Sequence, residues 1–452
     1  MIQKFLRLSS RRRVSSGKRQ LHTIISQELI KPSSPTPSHL CTYNLSPVDQ
    51  LAAKSYMPIV LFYPNNDNCT LTSQEKARVL KESLSQSLTR YYPFAGRMSS
   101  PISPYVDCND EGIIFIEARI NSNLEKYLQL SELDNTLDSL FANDLVNYKS
   151  PCNTSLVGVQ FNHFACGGLG LAVSMSHIIG DGATFGSFLG HWASVARYGS
   201  ANHQEVIPYI PHFIQFPLTG SIQAAYRARE IDQTNVVLRK FVFPNSKLGD
   251  LKKLVEINNN EPSRVEALTS LLYKTAANAA AKRSGSFKTS YLFIMVNMRN
   301  KFVKKLPQST FGNIASVILV PTDRHTSETS LSKVVEDIKK TMSEELEGIQ
   351  SVQNIGEYIQ TSRSRMRKQP NIKKVVNGSY WCSSLCGFAY SKLDFGLGKP
   401  IGVNLALGST HKNGFMLVDT LNGDGIEALV FLEKENMEKF ENDKHMLSFC
   451  QK

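Results

Sequence analysis

The segment Ser176–Gly182, which reads SHIIGDG, constrains this chain most. It places His177 four residues before Asp181, at a point where a strand-like run passes directly into a helix-like run. The glycines at 180 and 182 allow the backbone to turn sharply. A histidine at such a turn can remove a proton from an alcohol or thiol near neutral pH. A helix cap built from the same His and Asp is the structural alternative, and the segment alone leaves both open.

The residues around this segment predict a strand pair followed by a helix. Two apolar runs, 155–164 and 169–176, are separated by Ala-Cys-Gly-Gly, which is typical of a hairpin-like pair within a sheet. The run at about 183–197 has apolar side chains on one side, which predicts a helix. His177 is therefore expected at a strand end, where a rigid scaffold commonly holds a catalytic residue.

Helices and strands are mixed along both halves of the chain, which favours an α/β architecture with two domains and mixed sheets. Periodicity is lost between about 200 and 235, where several prolines occur. The expected division is a basic N-terminal extension (1–27), an N-terminal domain (28–205), a crossover linker (206–235) and a C-terminal domain (236–452). Helices are predicted at about 73–91, 183–197, 262–282 and 327–350. Strands are predicted at 104–106, 113–118, 155–164, 169–176, 237–243, 291–296, 401–406, 415–419 and 426–432.

The formal charge of +12 is concentrated at the N-terminus. Residues 1–27 contain seven Lys or Arg and no acid, and the rest of the chain has 44 basic and 39 acidic side chains. This distribution argues against nucleic-acid binding. The N-terminal composition is typical of a transit peptide or a disordered basic tail, so the expected location is cytoplasmic, with organellar import as the alternative. No apolar run approaches the roughly 18 residues of a membrane span.

The eight cysteines show no paired framework and are expected to be free thiols. Cys382 and Cys386 have the spacing CxxxC, but neither a second pair nor a nearby His completes a zinc site, so no metal is expected. No GxGxxG follows a strand and no P-loop is present, so a nucleotide cofactor held by those devices is not expected.

A second site-like element is DFGLGKP, from Asp394 to Pro400, which on its own is also typical of a turn between strands. With the first segment it resembles the signatures HxxxDG and DFGWGKP of the plant BAHD acyl-CoA-dependent acyltransferases. The segment ISQELIKPSSPTP, residues 25–37, resembles the vinorine synthase-like branch of alkaloid and terpenoid O-acetyltransferases. Further matches follow the family's order: Leu45-Ser46-x-x-Asp49, Tyr92-Pro93-Phe94-Ala95-Gly96-Arg97, Cys166-Gly167-Gly168, Ser263-Arg264-Val265-Glu266, Val296-Asn297-x-Arg299, Gly312-Asn313 and Gly425-Ile426-Glu427-Ala428.

The resemblance implies a fold of two chloramphenicol-acetyltransferase-like domains with a solvent channel between them. It also implies a monomer that needs no permanently bound cofactor. Acyl-CoA, acetyl-CoA first among the candidates, would enter from one face and a small-molecule alcohol from the other. The expected activity is acetyl transfer to a hydroxyl group of an alkaloid or terpenoid. The alternatives are a longer or aromatic acyl-CoA, a sugar or phenolic acceptor, or a relative that binds a metabolite without catalysis.

The resemblance also assigns candidate residues. His177 would be the general base that activates the alcohol for direct attack on the thioester. Asp181 could orient the imidazole or could pair with Arg299, as the family pattern favours. Asp394 would be a structural member of its loop. Asn313 is expected near the channel. The candidates for contacts with the anionic CoA are Ser263, Arg264 and Lys399.

The chain departs from the family pattern at three positions. Leu397 replaces the tryptophan of DFGWG, and Leu385 and Gly387 stand where this branch commonly has Trp and Arg. Since His177 and the Gly-Asp-Gly turn are intact, an active enzyme is expected. The substitutions leave the acceptor pocket and the donor preference open.

Overall fold

The structure is a computed structural model. It describes residues 22–53, 55–65, 71–100, 102–128, 137–141, 154–199, 209–216, 235–257, 260–286, 291–322, 327–347, 349, 379–405 and 413–451. Most of the expected N-terminal extension and most of the expected linker lie outside these residues.

Strands and helices are mixed along both halves of the described chain. The strands are β1 (His22–Ile30), β2 (Thr42–Asn44), β3 (Tyr56–Tyr63), β4 (Tyr105–Asp107), β5 (Ile113–Ile120), β6 (Val157–Phe164), β7 (Leu169–Ser176), β8 (Val236–Pro244), β9 (Tyr291–Asn297), β10 (Ala315–Pro321), β11 (Tyr380–Ser384), β12 (Gly402–Leu405), β13 (Gly414–Asp419) and β14 (Gly425–Glu433). The helices are α1 (Pro47–Leu51), α2 (Ser73–Arg90), α3 (Glu125–Leu128), α4 (Gly182–Tyr198), α5 (Asn245–Leu254), α6 (Arg264–Ser284), α7 (Leu331–Glu347), α8 (Lys434–Phe440) and α9 (Lys444–Leu447).

Two six-stranded sheets organise these elements. The first has the order β1-β5-β6-β7-β3-β12, and the second has the order β10-β9-β11-β13-β14-β8. Each sheet contains parallel and antiparallel neighbours: β5 and β6 are parallel in the first, and β11 is parallel to both β9 and β13 in the second. The prediction of mixed sheets is therefore confirmed. The predicted hairpin is also present, because β6 pairs antiparallel with β7.

Helices α2 and α4 pack together on the first sheet. The sequence starts α2 with a capping box, in which Thr72 and Glu75 exchange side-chain and backbone hydrogen bonds. The leucines that recur every four residues along α2 are buried, as their spacing predicts. From α4, the indole N–H of Trp192 donates to the carbonyl of Leu80 at 3.1 Å, so the largest buried side chain also satisfies its one donor.

The second sheet has its own core, which is built mainly on α6 and α7. Residues at helical spacing along α6, among them Leu268 and Leu272, are fully buried against strands β9, β11, β13 and β14. Ser263 caps α6 and completes a capping box with Glu266. Two separate cores of this kind are what two sheets with helices on one face require.

The expected domain boundaries differ from the sheet topology at two places. Strand β1 begins at His22, where it pairs with Ile120 of β5, so residues 22–27 belong to the first sheet and not to an extension. Strand β12 comes from the second half of the chain but pairs antiparallel with β3 of the first sheet, with Gly402 opposite Phe62. The second half therefore completes the first sheet, and the division at residue 236 does not separate the two cores.

Candidate active site

His177 lies immediately after β7, in a short 3-10 turn that leads into α4. Every residue of β7 is buried, and the strand is paired on both sides, with β6 and β3. The backbone N–H of His177 donates to the carbonyl of Ser55 at 2.8 Å. The side chain itself is half-buried. The predicted position of His177 at a strand end is therefore confirmed, and its backbone is held by the most buried part of the first sheet.

The imidazole of His177 contacts Asn313, which comes from the other half of the chain. Nδ1 of His177 lies 3.0 Å from Oδ1 of Asn313. The amide nitrogen of Asn313 donates to the backbone carbonyl of His177 at 2.8 Å and to Oδ1 of Asp49 at 2.9 Å. Asn313 therefore binds both the ring and the backbone of the turn. The structure places Asn313 beside His177, and its expected location near a channel stays a prediction.

Asp181 is the N-cap of α4 and is paired with Arg299. One carboxylate oxygen accepts from the backbone N–H groups of Ala183 and Thr184, at 3.1 and 3.0 Å. The two oxygens accept from the guanidinium of Arg299 at 3.0 and 2.8 Å, which is a bidentate geometry. The backbone N–H of Ile314 adds a further bond at 3.0 Å. The expected pairing with Arg299 is present, and none of these contacts involves the imidazole.

The ion pair is closed off from solvent. Arg299 has no exposed surface and also donates to the carbonyls of Thr310 and Gly312, at 2.7 and 3.1 Å. Burial alone would raise the pKa of Asp181, but the charge of Arg299 and the hydrogen bonds outweigh it, so the pKa is lowered. Asp181 is therefore a carboxylate that braces the turn between β7 and α4.

Asp49 is a second buried carboxylate beside the same turn, and it has no cationic partner among its hydrogen bonds. Its oxygens accept from the backbone and amide N–H groups of Asn313, at 2.7 and 2.9 Å, and from the backbone N–H of Ser46 at 2.9 Å. Burial raises the pKa of Asp49, and these donors offset only part of the effect. Sequence reasoning noted Asp49 as a motif match and missed this contact. The signal was the spacing Ser46-x-x-Asp49, a capping box.

The loop around Asp394 lies at the opposite end of α4. Its carboxylate accepts from the backbone N–H groups of Gly396 and Gly398, both at 2.9 Å, and pairs with Arg197 in the last turn of α4. The rise of the helix separates Arg197 from the start of α4 by about 22 Å. Leu397, the residue that replaces the family's tryptophan, is buried in the core of the first sheet. Asp394 therefore organises its loop and is not brought to His177.

A cavity of about 470 Å³ lies between the two halves of the chain, and it contains one of the three predicted CoA contacts. Arg264 lines it and donates to Asn245 and to Asp419. Ser263 instead caps α6, and the exposed Lys399 is not among the lining residues.

One residue that lines this cavity, Tyr390, also contacts the start of α4. Leu385 and Tyr390 line the cavity, and the hydroxyl of Tyr390 lies 3.5 Å from the carbonyl of Gly182. Lys240 and Lys392 also line the cavity, and sequence reasoning missed both of them. With Arg264 they give it three cationic side chains, two of which pair with the acidic lining residues Asp419 and Glu427. Apolar residues such as Leu385, Val403 and Leu429 also line the cavity. This combination suits a ligand with an anionic group and an apolar arm.

Within the described residues, no group of three or more His, Cys, Asp or Glu side chains is arranged to hold a metal ion. The sulfur of Cys382 contacts the hydroxyl of Thr269 at 3.2 Å, and burial raises the pKa of Cys382 to about 12. Among the helices of the described ranges, none combines the length and apolar character of a membrane span.

Comparisons with known proteins give the family. The model of the Transferase family matches residues 22–447. Deacetylvindoline O-acetyltransferase of Catharanthus roseus is 33% identical over 450 residues, which cover 96% of this chain and 99% of the relative. Acylsugar acyltransferase 3 of Solanum lycopersicum is 31% identical and is covered to 97%, over 95% of this chain. The crystal structure of vinorine synthase superposes with a TM-score of 0.74 at 26% identity, covering 95% of this chain and 98% of that one. The predicted fold of two chloramphenicol-acetyltransferase-like domains is confirmed.

Proposed function

Because the chain belongs to the BAHD family of acyl-CoA-dependent acyltransferases, we propose that it transfers an acetyl group from acetyl-CoA to a hydroxyl group of an alkaloid or terpenoid. The observation that carries the proposal is the geometry of His177. Its ring is held through Nδ1 by Asn313, and no other described residue hydrogen-bonds to it. Nε2 is therefore left for a substrate.

In the proposed reaction His177 is the general base. As the acceptor oxygen attacks the thioester carbonyl carbon, Nε2 takes the hydroxyl proton. The new C–O bond gives a tetrahedral oxyanion, whose collapse breaks the C–S bond. The CoA thiolate leaves and takes the proton back from His177, so the enzyme returns to its starting state without a covalent intermediate.

The cavity of about 470 Å³ is the proposed binding site of acyl-CoA. Arg264, Lys240 and Lys392 would bind its phosphates, since charge-assisted hydrogen bonds are strong and phosphate is a preferred partner of Arg. The apolar lining residues, among them Leu385, would contact the pantetheine arm and the acyl group. Ser263 and Lys399 stay predictions, and their positions in the structure favour them less.

The acceptor class rests on the resemblance and on one relative's name, which specifies O-acetylation. A longer or aromatic acyl donor, or a sugar or phenolic acceptor, is the second candidate. Two observations favour it: another relative is an acylsugar acyltransferase, and Leu385 departs from the branch's tryptophan at the cavity wall. A relative that binds a metabolite without catalysis is the third candidate, motivated by the altered DFGWG loop.

The test uses the purified protein with a panel of acyl-CoA donors and alcohols, and reads the products by mass spectrometry. His177→Ala should lose about 10²- to 10⁴-fold in kcat, the usual contribution of a general base. His445→Ala is the matched control, because His445 is an exposed histidine on α9. Equal turnover by His177→Ala and wild type would overturn the base assignment. Product only with other thioesters would favour the second candidate. Metabolite binding with no product from any donor would favour the third.

The donor site has its own test. Arg264→Ala should raise KM for acyl-CoA and change kcat little, because the phosphates bind equally in the ground and transition states. Arg283→Ala is the matched control, because Arg283 is a surface arginine that does not line the cavity, and it should leave both parameters near the wild-type values. If Arg264→Ala behaves like this control, the cavity is not the CoA site.

A further inference from the structure

We infer that Asn313, anchored by Asp49, fixes the tautomer of His177 with the proton on Nδ1 and the lone pair on Nε2. Neither residue reacts in this proposal; both position the base. The inference rests on the proposed function, because a defined tautomer matters only if His177 accepts a proton.

The orientation of the Asn313 amide is the first step. Its nitrogen has three acceptors within reach: Oδ1 of Asp49 at 2.9 Å and the carbonyls of His177 and Ile178 at 2.8 and 3.4 Å. An NH₂ group only donates and an amide oxygen only accepts. A flipped amide would place its oxygen against three other acceptors. The network therefore directs Oδ1 of Asn313 at the imidazole.

The tautomer of His177 follows from that orientation. Oδ1 of Asn313 lies 3.0 Å from Nδ1, so Nδ1 must carry the hydrogen of this bond. A neutral imidazole has one N–H group, and Nε2 then holds the lone pair. This is the nitrogen that the proposed mechanism needs free of a proton when the alcohol enters.

Asp49 is what holds Asn313 in place. It receives the backbone and amide N–H groups of Asn313 on one oxygen and the N–H of Ser46 on the other. All three partners are donors, so a group that only accepts suits the position better than an amide. Asp49 is also fixed within α1 by its capping box, and it is buried. The anchor is therefore rigid and joins the two halves of the chain at the base.

Asp181, the other carboxylate of the signature, does not compete for this role. Its oxygens are occupied by Arg299, by the first N–H groups of α4 and by the N–H of Ile314. Within the part of the chain that the structure describes, the ring hydrogen-bonds to Asn313 alone. The ring is therefore oriented by Asn313, which is 136 residues away in sequence, and not by the aspartate of the HxxxD motif.

The tautomer is measurable in the unmodified enzyme. The full chain is labelled with ¹⁵N-histidine, and the ring signals of His177 are assigned by their loss in His177→Ala. At a pH where the ring is neutral, the two-bond and three-bond couplings should report a protonated Nδ1 and a bare Nε2. A protonated Nε2 would overturn the inference. Since this spectrum is recorded on the native protein, it does not depend on a variant that folds.

Two variants test the anchor. Asn313→Ala and Asp49→Asn should each shift the His177 signals towards a mixture of tautomers and lower kcat by about 10- to 100-fold. KM for acyl-CoA should stay within about twofold, because neither residue lines the donor cavity. Asn162→Ala is the matched control, because it removes an equally buried amide from β6. It should lower stability and leave the tautomer unchanged. An unchanged tautomer in Asn313→Ala would contradict the inference.

The inference and the proposed function fail in different ways. A protonated Nε2 in an enzyme that His177→Ala inactivates would refute the tautomer and retain the base. A protonated Nδ1 in an enzyme that His177→Ala leaves fully active would refute the base and retain the geometry.

Discussion

Asp181 and Asp49 are both buried carboxylates beside the turn that carries His177, and their surroundings differ. Asp181 faces the guanidinium of Arg299, and its pKa is lowered. Asp49 accepts hydrogen bonds from Asn313 and Ser46, has no cation among these partners, and its burial raises its pKa. The ion pair braces the start of α4 away from the imidazole. The second carboxylate instead binds the amide that contacts the ring.

The difference shows that two carboxylates beside one turn can have separate roles: one stabilises the turn, and the other positions the amide that contacts the imidazole. A full charge pair gives strength, but a cation beside the imidazole would oppose its protonation during the reaction. Here Arg299 is held against Asp181, while the contact to the ring comes from the neutral amide of Asn313. Asp49 therefore contacts the side chain of Asn313, which in turn contacts the ring of His177.

Among the substitutions that test this comparison, removal of the Arg299 charge should lower the free energy of unfolding most. Arg299→Met leaves Asp181 buried without its partner, so we expect the free energy of unfolding to fall by about 3–5 kcal/mol. Urea denaturation followed by circular dichroism measures the change. Arg283→Met is the matched control, because Arg283 is paired with Glu433 at a surface where its side chain is 42% exposed. The control should lose no more than about 1 kcal/mol. Similar losses in the two variants would mean that burial does not strengthen the pair.

Asp49→Asn should destabilise the protein less than Arg299→Met. The variant keeps one acceptor oxygen and directs an NH₂ group at a backbone or amide donor, so one buried donor loses its partner. Such a loss costs about 1–3 kcal/mol. The same urea titration measures it, with kcat recorded on the same samples. A destabilisation as large as that of Arg299→Met would show that Asp49 is as much a structural brace as Asp181.

Local pattern predicted much of the fold. The capping box at Thr72 and the spacing of apolar residues in α2, α4, α6 and α7 placed those helices within a few residues. Two apolar runs on either side of a glycine-containing turn predicted β6 and β7 and their pairing. These features depend on residues that are close in sequence, so the local sequence pattern is enough to predict them. The position of His177 at a strand end followed for the same reason.

The missed features depend on contacts between distant residues. Strand β12 has only four residues, and it pairs with β3, about 340 residues away in sequence. The local sequence pattern cannot predict a pairing over that distance. Strand β1 is an edge strand with exposed Ile24, Ile25 and Leu29, so it shows no buried face. The bond between Asp49 and Asn313 spans 264 residues. The pairing of Asp181 with Arg299 was anticipated through family resemblance and not through spacing.

The pH dependence of stability should have opposite signs at the two carboxylates. The pKa of Asp181 is lowered, so its contribution is full above the unfolded value of about 3.9 and is lost as the pH falls through the folded value. The pKa of Asp49 is raised, so its contribution is full below about 3.9 and is lost as the pH rises through the folded value. Each unit of pKa difference corresponds to about 1.4 kcal/mol.

Urea titrations of wild type, Asp181→Asn and Asp49→Asn between pH 3 and pH 7 measure both signs. The stability of wild type relative to Asp181→Asn should grow with pH across the acidic part of this range. The stability of wild type relative to Asp49→Asn should decline as the pH rises above about 4. Two curves of the same sign would mean that the two carboxylates are ionised alike, and the contrast between their surroundings would then have no thermodynamic consequence.

The smallest effect is expected at the other end of α4. Arg197 and Asp394 also form an arginine–aspartate pair, but the side chain of Arg197 is 44% exposed, whereas Arg299 has no exposed surface. Solvent screens the exposed pair, and the loop keeps the bonds from Gly396 and Gly398 to Asp394 when the arginine is removed. Arg197→Met should therefore cost about 0.2–1 kcal/mol, measured by urea denaturation beside Arg299→Met. A cost near that of Arg299→Met would show that the loop depends on the ion pair and not on its backbone hydrogen bonds, and the contrast between the two ends of α4 would then disappear.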